Sequence, residues 1–132
     1  MDLDANAHSV FLMFLHLALI IKHRRKVMDN MISDRLKEIF PYIAPNCHIA
    51  LMEWNHGIDH IHVLYKAHPN TEHSKFTNAC KSAGSRIIKK ENESIRKKLW
   101  KEYFWSRSFC LLTAGGASIE AIERCIENQG GK

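Results

Sequence analysis

The sequence has no C-x-x-C pair, no apolar run long enough for a membrane, and no internal repeat or low-complexity tract. Each absence excludes a class of protein. Cys47, Cys80, Cys110 and Cys125 are scattered singly, which argues against a zinc ribbon or a disulfide frame. They are expected to be small core residues or free thiols in a reducing compartment. The longest apolar stretch, Val10 to Ile21, covers 12 residues and contains His16. A membrane-spanning helix needs roughly 20. Lys22-His23-Arg24-Arg25-Lys26 follows at once, the wrong side for a secretory signal, and there is no small-residue cleavage site. The expectation is a cytoplasmic protein with no membrane partner. At 132 residues the chain reads as one domain.

What is present is ordinary in bulk and rich in histidine. Apolar residues make up 45% and charged residues 25%, as in folded globular chains. Lys and Arg exceed Asp and Glu by 19 to 14, a net +5. That excess permits a polyanionic partner without requiring one. Nine histidines is a high count for the length. Two of them lie in Asp59-His60-Ile61-His62-Val63-Leu64, which reads as a strand. Alternation sends residues i and i+2 to one face, so His60 and His62 project together, away from Ile61 and Val63. Side by side, two imidazoles are either a half-site for a divalent metal or an exposed pair on a half-buried strand.

Taken in order, Val10 to Ile21 fits a central strand buried on both faces. His16 within it is either a hydrogen-bonded core residue or one facing an active site. Ile32 to Ala44 carries apolar residues at helical spacing, with Ser33 or Asn30 available as a cap. His48 to Trp54 and Asp59 to Lys66 form a hairpin, with Gly57 supplying a turn conformation that other residues resist. Glu72 to Glu91 is the longest helix. Phe76, Cys80, Ala83 and Ile87 line its core side, while Lys75, Asn78, Ser82, Arg86 and Lys89 form a second face without an acid. That face is either simply solvated or a phosphate-contacting surface. A charged connector and an aromatic patch (Trp100, Tyr103, Phe104, Trp105) lead into a strand from Ser108 to Thr113. Ala114-Gly115-Gly116-Ala117 links it to a last helix, Ser118 to Gln129. The order β-α-β-β-α-β specifies an α+β fold, the ferredoxin-like split β-α-β sandwich with an antiparallel sheet and an additional C-terminal helix.

His60-Ile61-His62, the Lys22-to-Val27 segment, Phe104-Trp105-Ser106, Gly115-Gly116-Ala117 and Ile126-Glu127-Asn128-Gln129 together resemble the single-tyrosine HUH transposases of the insertion-sequence 200/605 family (IS200-like). The likeness runs from about Val10 to Gln129. It implies a single transposase domain over 1–132, whose segment 117–129 carries the nucleophile position. It further implies a homodimer that cuts and rejoins single-stranded DNA beside hairpins at element ends. In such proteins two histidines and a glutamine hold Mg²⁺ or Mn²⁺, which maps onto His60, His62 and Gln129. A tyrosine one helical turn before the glutamine attacks phosphorus and leaves a 5′-phosphotyrosine. The resemblance also implies a prokaryotic, cytoplasmic protein, associated with the nucleoid when bound to DNA. Lys22, Arg24, Arg25, Lys26, Lys75, Arg86 and Lys89 are the expected DNA-binding cations.

The sequence departs from that pattern at one place. Cys125 occupies the nucleophile position, and Tyr42, Tyr65 and Tyr103 lie on other elements. A thiol sulfur sits several ångströms nearer the backbone than a phenol oxygen, and a misplacement of about 1 Å can cost on the order of 10²-fold in rate. The expectation is a chain that binds DNA and metal but cleaves poorly. The alternative is an inactive or domesticated nucleic-acid-binding protein of the same fold.

Overall fold

The strand β1 (Met13–Ile21) organises the molecule, because it is buried on both faces. The computed structural model describes residues 12–98, 103–115 and 119–129. On one face Leu15, Leu17, Leu19 and Ile21 enter the main core; on the other Ala18 and Ile20 enter a smaller one. β1 lies between β3 (His60–Ala67) and β4 (Trp105–Thr113), with β2 (Ile49–His56) at the edge beyond β3. All three pairings are antiparallel, giving the order β2-β3-β1-β4 expected of the ferredoxin-like plan.

Helices α1 (Asn30–Ile43) and α2 (His73–Glu91) cover one face of the sheet. There Phe40, Tyr65, Phe76, Phe104 and Leu17 fill the core. α1 starts at Asp29, whose carboxylate accepts from the Ile32 amide at 2.8 Å; this is the cap, rather than Ser33 or Asn30. Gly84 on α2 leaves room for α1, since a Cβ there would lie 2.9 Å from Leu36 Cδ2. A short helix α3 (Glu93–Lys98) occupies part of the expected connector. The last helix, α4 (Ile119–Gln129), lies on the opposite face. Ile122 and Ile126 pack there against Ala18, Ile20 and Cys110.

Several local expectations change. β4 begins at Trp105, and both Phe104 and Trp105 are buried, so these rings are core and not a stacking surface. Trp100 lies outside the described residues. The buried stripe of α2 is Phe76, Thr77, Cys80, Gly84 and Ile88, with Ala83 and Ile87 only partly covered. No glycine among the described residues has a positive φ, so Gly57 is not there for its turn conformation. Its reason is space: a Cβ would overlap the His60 ring, 2.8 Å from Nδ1.

Candidate metal centre and cationic cavity

The strand register decides what shares a face with the two histidines. Ile20 pairs with His60, Ala18 with His62, and His16 with Leu64, while Ala18 also pairs with Cys110 on β4. His60, His62 and His16 therefore stand on the α4 side of the sheet, with the helices α1 and α2 behind it. Ile61, Val63 and Tyr65, the alternate residues, are fully buried in the main core.

His60 is held from behind. Its Nδ1 lies 2.8 Å from Asp59 Oδ1, and Asp59 Oδ2 accepts from Arg24 Nε at 2.9 Å. A carboxylate only accepts, so His60 Nδ1 donates to it, an arrangement that in the neutral ring leaves the Nε2 lone pair free. This is the support that metal-ligating imidazoles receive in general. Burial pushes the Asp59 carboxyl up, but hydrogen bonds from His60 and Arg24 and the guanidinium charge outweigh it. The net shift is below the ordinary value of 3.8. The Asp59 carbonyl accepts from Ile21 N at 2.8 Å, fixing the residue to the end of β1. Arg24 reaches Asp59 from a turn in which His23 and Arg24 both have left-handed backbone, φ 57° and 52°. Such a conformation costs roughly 1–2 kcal/mol per residue.

His62 has a different partner. Its Nε2 lies 2.8 Å from His16 Nδ1, with the ring centroids 4.9 Å apart. Burial, then the neighbouring His16 and His60, lower its proton affinity; Glu53 works weakly the other way. His62 is thus held as a neutral imidazole, the form that binds metal. His16, read either as a hydrogen-bonded residue or as one facing a site, is hydrogen-bonded to His62 on the face that the paired histidines share.

Cys125 is not a free thiol. It is bonded to Cys110 on β4, with Cα atoms 6.1 Å apart. The expectation that all four cysteines are unpaired fails here, while Cys47 and Cys80 remain free. The reason is topological. Docking Ile122 and Ile126 onto β1 and β4 brings the same side of α4 down onto Cys110. Cys110 stands in the row of His62, across Ala18. Two strand spacings separate them, roughly 10 Å. Gln129 is the last residue of α4; its side chain lies outside the described residues. Among the described residues, no three His, Cys, Asp or Glu groups gather as they stand around one ion position. The three tyrosines of the sequence lie away from this face. Tyr65 is buried on the other face against His73 at 2.7 Å, Tyr42 is exposed on α1, and Tyr103 is exposed ahead of β4.

The expected DNA-binding cations divide. Lys22 and Arg86 line a cavity of about 510 Å³ between α2 and the start of β4. Two cations not singled out from sequence join them there, Lys81 and Arg107, with Ser82 and Ser85 and no acid. Lys81 Nζ donates to the Ser106 and Arg107 carbonyls at 2.8 and 3.2 Å, and burial lowers its pKa. The other five lie elsewhere. Arg24 is engaged with Asp59, Arg25 reaches the Lys98 carbonyl at 3.4 Å, and Lys26 borders a smaller cavity beside α3. Lys75 stands exposed 3.9 Å from Glu72, and Lys89 is half-buried on α2. Lys81 and Arg107 had no helical-face signal, because only the packing of α2 against β4 joins them.

A sequence profile described as "Transposase IS200 like" matches residues 9–129. The chain belongs to the IS200-like transposase family. It is 29% identical over 120 residues to the ISDra2 transposase TnpA of Deinococcus radiodurans, covering 91% of this chain and 86% of that one. A crystal structure from Deinococcus radiodurans R1, assigned as a transposase, superposes with a TM-score of 0.84 at 26% identity. The match covers 98% of this chain and 99% of the other. The fold alone is shared with a REP-associated tyrosine transposase bound to a REP hairpin. There the TM-score is 0.59 at 8% identity, over 96% of this chain and 70% of that one. No described helix of this IS200-like chain is long and apolar enough to cross a membrane.

Proposed function

We propose that this protein is a DNA transposase that recognises single-stranded DNA beside hairpins and holds Mg²⁺ or Mn²⁺ with His60, His62 and Gln129. We further propose that it does not cleave while Cys125 is bonded to Cys110. Family membership supports the transposase assignment. The observation that carries the finer reading is the supported imidazole, His60 on Asp59 on Arg24, on the face covered by α4.

A divalent ion, when bound, supplies positive charge to the non-bridging and leaving oxygens of the scissile phosphodiester. The chain's own contribution is placement. Asp59 and Arg24 aim His60 Nε2 outward, and Gly57 leaves the ring its space. The cavity of Lys22, Lys81, Arg86 and Arg107 suits phosphates of a strand bound on the helix side of the sheet. Cleavage with a tyrosine would join the phenolic oxygen to phosphorus and release the 3′-oxygen as a hydroxyl. Cys125 offers no such group: its sulfur is already bonded and points toward β4. In solution two copies would pair as a homodimer, in the cytoplasm of a prokaryotic cell and on the nucleoid while bound.

The test uses oligonucleotides from the DNA flanking the gene, with the wild-type chain, Cys125→Tyr and Cys125→Tyr/His60→Ala. The wild type is expected to shift single-stranded hairpins without a covalent product. Cys125→Tyr is expected to form a Mn²⁺-dependent protein–DNA adduct, lost in the double variant. Failure of Cys125→Tyr to form any adduct, though folded and DNA-bound, would favour the second reading. That reading is a non-cleaving DNA-binding protein, supported by the Cys110–Cys125 bond.

A further inference from the structure

The cavity between α2 and the start of β4 is larger than a phosphate backbone requires. Phosphates are met well by cations on an open surface. A recess of about 510 Å³ has instead the size of pockets that enclose a small molecule. Its charge is one-sided. Lys22, Arg86 and Arg107 form no ion pair among the described residues. Lys81 uses two of its three N–H donors on the Ser106 and Arg107 carbonyls, which fixes the ammonium in the wall. Burial disfavours that charge, and no carboxylate among the described lining residues offsets it. An anion would.

The second feature is Tyr103. Phe104 and Trp105 pack edge to face in the core, centroids 4.7 Å apart, whereas Tyr103 lines the cavity with 77% of its surface exposed. The ring is not carried on a loose segment. The next residue, Phe104, is fully buried, and its carbonyl accepts from Lys22 N at 3.0 Å. An exposed ring on a fixed backbone, beside unpaired cations, suits a ligand that is both flat and anionic. We propose that the cavity takes one unpaired nucleotide of the bound strand as a unit. Its base enters the recess and stacks on Tyr103, while the phosphates on either side rest on Lys22, Arg86 and Arg107. A duplex cannot fill the recess in this way, because its bases are already paired and stacked. The recess therefore distinguishes single strands from duplex by shape, and every base has a face that can stack.

This rests on the phosphate reading of the cavity given above, and the experiment separates the two. A hairpin with a single-stranded flank is bound to the wild type, Tyr103→Ala, Tyr103→Phe and Arg86→Ala over a range of salt. A single abasic unit is then stepped along the flank. Tyr103 is exposed, so its variants should keep the wild-type melting temperature. Tyr103→Ala is expected to weaken binding about 5- to 100-fold at an unchanged salt slope, and Tyr103→Phe to bind as the wild type does. One abasic position should reproduce that loss in the wild type and cost Tyr103→Ala nothing further. Arg86→Ala should instead lower the slope of log K against log salt by about 0.7. If Tyr103→Ala binds like the wild type, or no abasic position couples to it, while Arg86→Ala still lowers the slope, the nucleotide inference falls alone. An unchanged slope in Arg86→Ala would sink the underlying phosphate reading. Thymidine monophosphate and inorganic phosphate, titrated separately, identify the source of the nucleotide. The monophosphate should bind more tightly than phosphate and more weakly than the strand. A monophosphate as tight as the strand overturns the assignment in favour of a free nucleotide, and one no tighter than phosphate removes the base from the recess.

Discussion

Opening the Cys110–Cys125 bond should release α4 without unfolding the rest of the molecule. The bond spans 15 residues. Closing a loop of that size removes chain entropy from the open state worth about 3 kcal/mol. What else holds α4 is modest. Ile122 and Ile126 are its buried residues among those described, packed on Ala18, Ile20 and Cys110. Two isoleucines contribute roughly 3–6 kcal/mol of burial. Against this stands the ordering of an 11-residue helix, shorter than the 12–15 residues or so at which even favourable sequences become marginally helical alone. The main core beneath α1 and α2 is separate and far larger.

Reduction should therefore raise the opening equilibrium of α4 by roughly 10²-fold, the equivalent of about 3 kcal/mol. Hydrogen exchange with and without dithiothreitol reads this directly. Amides of α4 should lose protection while those of β1 and β3 keep theirs. Cys110→Ala should reproduce the reduced pattern without reductant. Thiol titration of the denatured, unreduced protein should find two thiols, Cys47 and Cys80. Four thiols, or α4 protection unchanged by reduction, would refute the reasoning. In a reducing compartment such a bond opens, and α4 is then held by the contacts of Ile122 and Ile126 alone.

The other predictions concern the face of the sheet and the cavity. Gly57→Ala should displace the His60 ring, lowering Mn²⁺ affinity by about 10-fold or more with a smaller loss of melting temperature. Asp59→Asn keeps the shape but removes the acceptor charge shared by His60 and Arg24. Mn²⁺ affinity should fall about 10–100-fold, measured by calorimetry. The folded-state pKa of Asp59 is depressed below 3.8. Its contribution to stability is therefore complete above that value and lost as pH falls through the folded pKa. His62, depressed from 6.5, acts in the same direction, so denaturant midpoints should decline on acidification below pH 6.5. Asp59→Asn should flatten the lower part of that decline, which ordinary urea titrations can follow. Lys81→Ala combined with Arg107→Ala should weaken single-stranded DNA binding and reduce the slope of log K against log salt by about 1.4, at roughly 0.7 per phosphate contact. An unchanged slope would remove the cavity from the interface.

Much of this was legible along the chain, and the misses share one cause. β1 announces itself because a strand buried on both faces has no polar alternation to hide it. His60 and His62 share a face by strand geometry alone. Everything that fails depends on which elements meet. Cys110 and Cys125 carry no spacing signal; they meet because α4 docks across β1 and β4. Lys81 and Arg107 belong to different elements, and only their packing forms a cationic cavity. Phe104 and Trp105 look like a surface patch until β4 is seen to start inside the core. Gly57 was readable as special, but its reason is the ring of His60 and not its own φ.

The His60 side of the face is expensive to maintain. Asp59 is 7% exposed, so its charge is largely desolvated and is offset only while Arg24 and His60 both engage it. Arg24 reaches it from a turn with two consecutive left-handed residues. Strain of this kind persists where surrounding structure enforces it, and it clusters at working sites. None of these features touches Cys125, whose sulfur is fixed to β4 two strands away from His62. Support of the imidazoles and the proposed nucleophile position thus lie on separate parts of the fold: the β1–β3 end with its turn, and α4. On the proposed reading, a change at residue 125 abolishes cleavage and leaves the paired histidines and their support standing. The same separation is what makes Cys125→Tyr a fair test, since it alters the helix and leaves the geometry around His60 alone.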